Sequence, residues 1–115
     1  MAMARDDYFV IVAKILDYLY RCLKKGVAPD PERLSPEALE ITESYWNYIF
    51  YNLAEDGYII GVSARKLMGN PDMQVKIQYG GLKITPHGIE YLSENSTMKK
   101  ALETLKTIKD LIPFI

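Results

Sequence analysis

The chain has 115 residues, 49% apolar and 25% charged, with a net charge of −1 and one cysteine, Cys22, that has no partner for an intramolecular disulfide. That length and balance suit one domain with a single buried core and exclude a disordered tail or a coiled-coil rod. No apolar run approaches the ~20 residues that cross a bilayer and no charged-then-apolar leader opens the chain, so a soluble, cytoplasmic protein with no membrane partner is expected.

The net charge hides a strong asymmetry. Residues 1–25 carry five positive and three negative side chains, 26–57 carry one and seven, and 58–115 carry eight and five. The middle of the chain is therefore acidic and both flanks are basic.

The first helix is predicted over 6–25. Phe9, Val12, Ile15, Leu16, Leu19, Cys22 and Leu23 form a wide apolar stripe, Asp6 and Asp7 open the helix and Lys24 and Lys25 close it, and Gly26 is a natural stop. Pro29 and Pro31 make 27–34 a loop with room for a short strand. Ser35 followed by Pro36 is an N-cap and first-turn proline, which opens a short second helix over 36–40.

Thr42 caps a third helix over 43–56, with Glu43 in its first turn. Trp46, Ile49, Phe50 and Leu53 fall on its core face; Ser44, Asn47, Tyr48, Tyr51, Asn52 and Glu55 face outward, and Tyr45 fits either side. After the Asp56-Gly57 turn, 58–62 has the β-branched and aromatic composition of a strand, and 75–79 alternates apolar and polar. These two are predicted to pair antiparallel, with the eleven-residue connection 63–73 as a wing and 58–79 as the whole hairpin. Gly80-Gly81 is a further turn. Thr85-Pro86 opens a fourth helix over 86–94, Asn95-Ser96 breaks it, and a fifth helix over 97–112 carries Met98, Ala101, Leu102, Leu105, Ile108, Leu111 and Ile112 on one stripe before Pro113. The expected fold is α+β: a winged helix-turn-helix of three helices and a β-hairpin wing, with two additional C-terminal helices.

The run Glu55-Asp56-Gly57-Tyr58-Ile59-Ile60-Gly61-Val62, the later run Ile84-Thr85-Pro86-His87-Gly88-Ile89-Glu90-Tyr91-Leu92 and the lysine-rich amphipathic last helix resemble the YjcQ-like family of small winged-helix proteins. The resemblance covers most of the chain from Asp7 to Ile112. It implies the winged-helix fold and an origin in phages or prophages of Gram-positive bacteria, and it implies no particular activity. Ile84 and His87 depart from the leucine and lysine usual in such a Leu-Thr-x-Lys-Gly element, which removes a basic contact there.

A winged helix reads duplex DNA by laying its third helix in the major groove while the wing touches phosphate. Here the third helix has no lysine or arginine and carries Glu43, Glu55 and the adjoining Asp56, so its charge opposes the term that dominates affinity for DNA. Asn47 and Asn52 could contact adenine. The alternative is that Tyr48 and Tyr51, with the two asparagines, form a partner-facing or packed surface. Arg65, Lys66 and Lys76 flank the wing as candidate phosphate contacts, or as an ordinary solvated charge set. Lys99 and Lys100 in the first turn of the last helix are a candidate anion site or a solvated pair. The last apolar stripe, with Phe114 and Ile115 beyond it, suits either a homodimer contact or closure of the monomer's core. His87 is the only histidine and Cys22 lies on an apolar stripe, so no cofactor, metal or enzymatic activity is expected. Two functions follow: a phage-derived regulatory protein touching DNA through its wing and basic flanks, or a protein-interaction module that uses the acidic, tyrosine-rich third helix.

Overall fold

The computed structural model describes residues 8–66, 68–69 and 73–112. Its elements in chain order are α1 (Tyr8–Lys25), a 3-10 turn (Pro31–Arg33), α2 (Pro36–Leu39), α3 (Glu43–Glu55), β1 (Ile59–Ile60), β2 (Val62–Lys66), β3 (Met73–Ile77), β4 (Lys83–Ile84), α4 (Pro86–Glu94) and α5 (Ser96–Thr107). This is a mixed α+β fold with five helices and a small antiparallel hairpin, compatible with a winged helix extended by two C-terminal helices. Asp6, Asp7, Phe114 and Ile115 lie outside the described residues.

α1 is the axis of the core. Ile11, Ile15, Leu16 and Leu19 are almost wholly buried, and α5, α4 and β4 pack around the helix. Gly26, in left-handed backbone at φ 70°, stops it; the Val27 amide reaches back to the Cys22 carbonyl at 3.1 Å, so the last turn keeps its hydrogen bonds. The following loop contains the 3-10 turn instead of the short strand for which the sequence left room. Asp30 accepts from the Glu32 amide and its own amide donates to the Tyr18 hydroxyl at 2.9 Å, which fixes the loop to α1. Ser35 and Thr42 cap α2 and α3 through the amides three residues on. Trp46 is buried against Phe50 and its indole N–H donates to the Leu34 carbonyl at 2.7 Å, tying α3 to the loop before α2.

The strand pairing differs from the simple hairpin expected over 58–79. Ile59 and Ile60 pair with Ile84 and Lys83, and Val62–Lys66 pairs with Met73–Ile77 in the register Val62↔Ile77 to Lys66↔Met73. One long hairpin is therefore bent into a proximal and a distal ribbon. The bend is at Gly61, at φ 92°, where any Cβ would collide with the Gly81 backbone, and the second arm absorbs it with the turn around Gly80 and Gly81. β2 also continues through Lys66, so much of the presumed connection is ladder.

α5 is shorter than the predicted 97–112. Asn95 caps it through the Met98 amide, and it ends at Thr107 with Lys109 in left-handed backbone and the Asp110 amide on the Leu105 carbonyl at 2.9 Å. Met98, Ala101 and Leu105 are buried within the monomer, whereas Ile108 is exposed. Beyond the helix, Ile112 folds back into the core and its carbonyl accepts from the Arg21 guanidinium at 2.8 Å.

Candidate interfaces on the wing and the third helix

Strand alternation sorts the wing cations. Directly opposed residues of an antiparallel pair share a face. Lys66 opposes Met73 and Ala64 opposes the buried Val75, so these lie on the face turned toward α3. Arg65 opposes Gln74 and Ser63 opposes Lys76, so Arg65 and Lys76 share the outer face, as diagonal neighbours about 7–8 Å apart. A depression of about 430 Å³ beside the ribbon is lined by Ser63, Ala64, Arg65, Gln74, Val75 and Lys76. All three cations are exposed, neither strand contains a carboxylate, and none of the three is in an ion pair among the described residues. The triplet grouped in the sequence is thus two outer cations and one that looks toward α3.

On α3, both asparagines considered as adenine contacts are engaged within the protein. Asn47 accepts the Val75 amide on the free edge of β3 through its Oδ1 at 3.1 Å, and Asn52 donates its Nδ2 to the Tyr48 carbonyl one turn back at 2.8 Å. Tyr48 is 60% exposed and Tyr51 half-buried. Together with Thr42, Ser44, Tyr45 and Met73 these residues line a groove of about 560 Å³ between α3 and the wing. Tyr45 belongs to this wall.

Tyr8, at the start of α1, was not singled out in the sequence. Its ring lies edge-on to Tyr48 at 6.2 Å and against Tyr45 at 6.5 Å, bracing the groove wall from behind. Its phenol is pushed up to about 12 by burial and then by neighbouring Tyr48, so it stays neutral. Its spacing from Val12 and Ile15, i to i+4 and i+7, was the available signal. A second aromatic group lies at the base of the wing: Tyr58 is stacked between Tyr91, at 4.2 Å and nearly parallel, and His87, at 4.9 Å. Burial raises the phenol pKa of both Tyr58 and Tyr91.

Lys99 and Lys100 are exposed on the outer side of α5, and the Asn95 carbonyl and side chain occupy the Lys99 and Met98 amides. The helix terminus that would cradle an anion is thus largely capped by the protein itself. Cys22 is buried and its thiol is pushed up chiefly by burial. Among the described residues no cluster of three or more His, Cys, Asp or Glu could hold a metal ion, and no helix is long and apolar enough to cross a membrane.

The family model described as YjcQ protein matches residues 13–111, from α1 through the segment after α5. The chain belongs to the YjcQ family. It is also similar to the uncharacterized protein YjcQ of Bacillus subtilis (strain 168), 32% identical over 96 residues that cover 84% of this chain and 96% of that protein. No solved structure matches it. The matched region of this YjcQ family member includes α3, the wing and both C-terminal helices, so the groove and the outer wing face both fall within it.

Proposed function

We propose that this chain is a non-catalytic regulatory module, of the phage or prophage origin that its resemblance implies, and that it contacts duplex DNA through the outer face of its wing. The observation that carries this reading is the pair Arg65 and Lys76 on one exposed face of two strands without carboxylates, neither of them neutralised by an ion pair among the described residues. Lys66 adds a third cation at the edge of the same ribbon. Phosphate contact of this kind needs positive charge and access, not base-specific donors. α3 is the less suitable element: it carries no cation, and its two asparagines already serve β3 and its own backbone.

The test is fluorescence anisotropy of a labelled random duplex titrated with the full chain across a salt series. Contact with two or three phosphates gives a slope of log K against log salt of roughly −2 to −3, and Arg65→Ala/Lys76→Ala removes about two units of it. An affinity that the double substitution leaves intact refutes the wing as the contact. Absence of binding at low salt refutes DNA as the ligand.

A further inference from the structure

The groove between α3 and the wing is walled chiefly by the acidic stretch of the chain, which has no lysine or arginine between Arg33 and Arg65, and its aromatic lining suits a ligand opposite in charge to DNA. We infer that it is a docking site for a cationic, lysine- or arginine-bearing segment of a partner protein. The cations of that segment lie over the faces of Tyr48 and Tyr51 and pair with the carboxylate of Glu55. The inference is separate from the reading of the outer wing face, and Lys66 is the one residue that figures in both.

Charge complementarity is the first argument. No lysine or arginine occurs between Arg33 and Arg65, whereas Glu37, Glu40, Glu43, Glu55 and Asp56 are all exposed and none is in an ion pair among the described residues. Tyr48, Tyr51 and Glu55 lie four, seven and eleven residues after Ser44, which sets the four within an arc of about 60° around the helix. Glu55 therefore continues the exposed tyrosine stripe at its C-terminal end. Lys66, across the wing beside Met73, is the cation facing the groove, and it confines a cationic guest to the α3 wall. A duplex is repelled from this same surface.

Chemistry of the walls is the second argument. A tyrosine ring presents a negative π face that attracts guanidinium and ammonium groups, and it does so without demanding a hydrogen-bond partner. Each asparagine amide already serves the protein with one of its two ends, Asn47 Oδ1 to the Val75 amide and Asn52 Nδ2 to the Tyr48 carbonyl. The largest side chains left to meet a guest are the tyrosines, beside Thr42 and Ser44. The third argument is rigidity: Tyr8 braces Tyr45 and Tyr48, and Asn47 anchors β3, so little ordering accompanies binding.

The experiment titrates the full ¹⁵N-labelled chain with a short arginine–glycine peptide, and separately with its glutamate–glycine counterpart, at about 150 mM salt. The arginine peptide is expected to shift the amides of Ser44, Tyr48, Tyr51, Glu55 and Met73, and the glutamate peptide to leave them in place. Tyr48→Ala and Glu55→Gln, both at exposed positions that should not disturb folding, each weaken the arginine peptide roughly two- to five-fold. Arg65→Ala/Lys76→Ala leaves that affinity unchanged, so this inference and the DNA reading fail independently. Shifts spread over carboxylates outside the groove, such as Glu94 and Glu103, or a Tyr48→Ala protein that binds as tightly as the parent, would overturn it.

Discussion

Asn47 separates a structural role from a base-reading one. Its Oδ1 accepts the Val75 amide at 3.1 Å across a separation of 28 residues, joining the middle of α3 to the outer edge of the distal ribbon. Both groups are in a partly buried setting. Asn47→Ala removes the acceptor and leaves a half-buried N–H with no protein partner, at a cost of about 1–3 kcal/mol. For a domain of this size that is a fall in Tm on the order of 4–10 °C. Hydrogen exchange at the Val75 amide should accelerate more than at the Ser63–Lys76 rungs of the ladder, because those bonds are made within the ribbon. Asn47→Asp keeps an acceptor at the same place and should retain most of the protection. Thermal denaturation and amide exchange on the two variants decide the matter. If Asn47→Ala leaves both Tm and Val75 exchange unchanged, the bond does not hold the wing and the asparagine regains its candidacy as a base contact.

Other outcomes follow from the packing and titration of single side chains. Leu105→Ala, at a fully buried site facing α1, should cost about 2–5 kcal/mol, with a Tm that does not vary with protein concentration; a concentration-dependent Tm would show that the stripe is instead buried between subunits. Gly88→Ala puts a Cβ against the Tyr58 carbonyl and 2.7 Å from Ile84 Cγ1, so α4 must shift; near-parental stability by chemical denaturation would contradict that close approach. Tyr8 has a folded-state pKa raised from 10.0 to about 12, so the neutral phenol is favoured by folding. Its contribution is complete below pH 10 and is lost as pH rises toward 12. Tyr8→Phe should make the alkaline loss of stability shallower, and an unaltered pH profile by circular dichroism would refute its burial. Trp46→Phe removes the indole N–H from the Leu34 carbonyl and should cost about 1–3 kcal/mol by urea unfolding, with no loss expected if that bond is unimportant.

The helices were legible because their signals are local. The stripe of α1, the caps Ser35, Thr42 and Thr85, and the core face Trp46, Ile49, Phe50 and Leu53 of α3 all lie within a turn or two of the residues they organise. The hairpin register was not legible, since it depends on a bend at Gly61 that only the approach of Gly81 makes necessary. Strand alternation would have set Lys66 apart from Arg65, but that rule applies only once β2 is known to run through them. Asn47 resembled a base-reading amide because its true partner is 28 residues away. The last helix was overextended because its periodicity continues into Leu111 and Ile112, while the left-handed residue that ends it is a lysine, with no glycine to announce the stop.

The Gly61 bend also has a mechanical consequence. The proximal ribbon is clamped in the core through Ile59 and Ile84, and the distal ribbon leaves it at an angle, so the arm behaves as a lever with its fulcrum at one glycine. The Asn47–Val75 bond, with the packing of α3 on β2 and β3, braces that lever. Whatever wedges α3 and β3 apart releases this bond and frees the cationic ribbon, whereas a guest that draws them together stiffens it. Force applied to the arm would accordingly reach the core both at the Gly61 fulcrum and along the third helix.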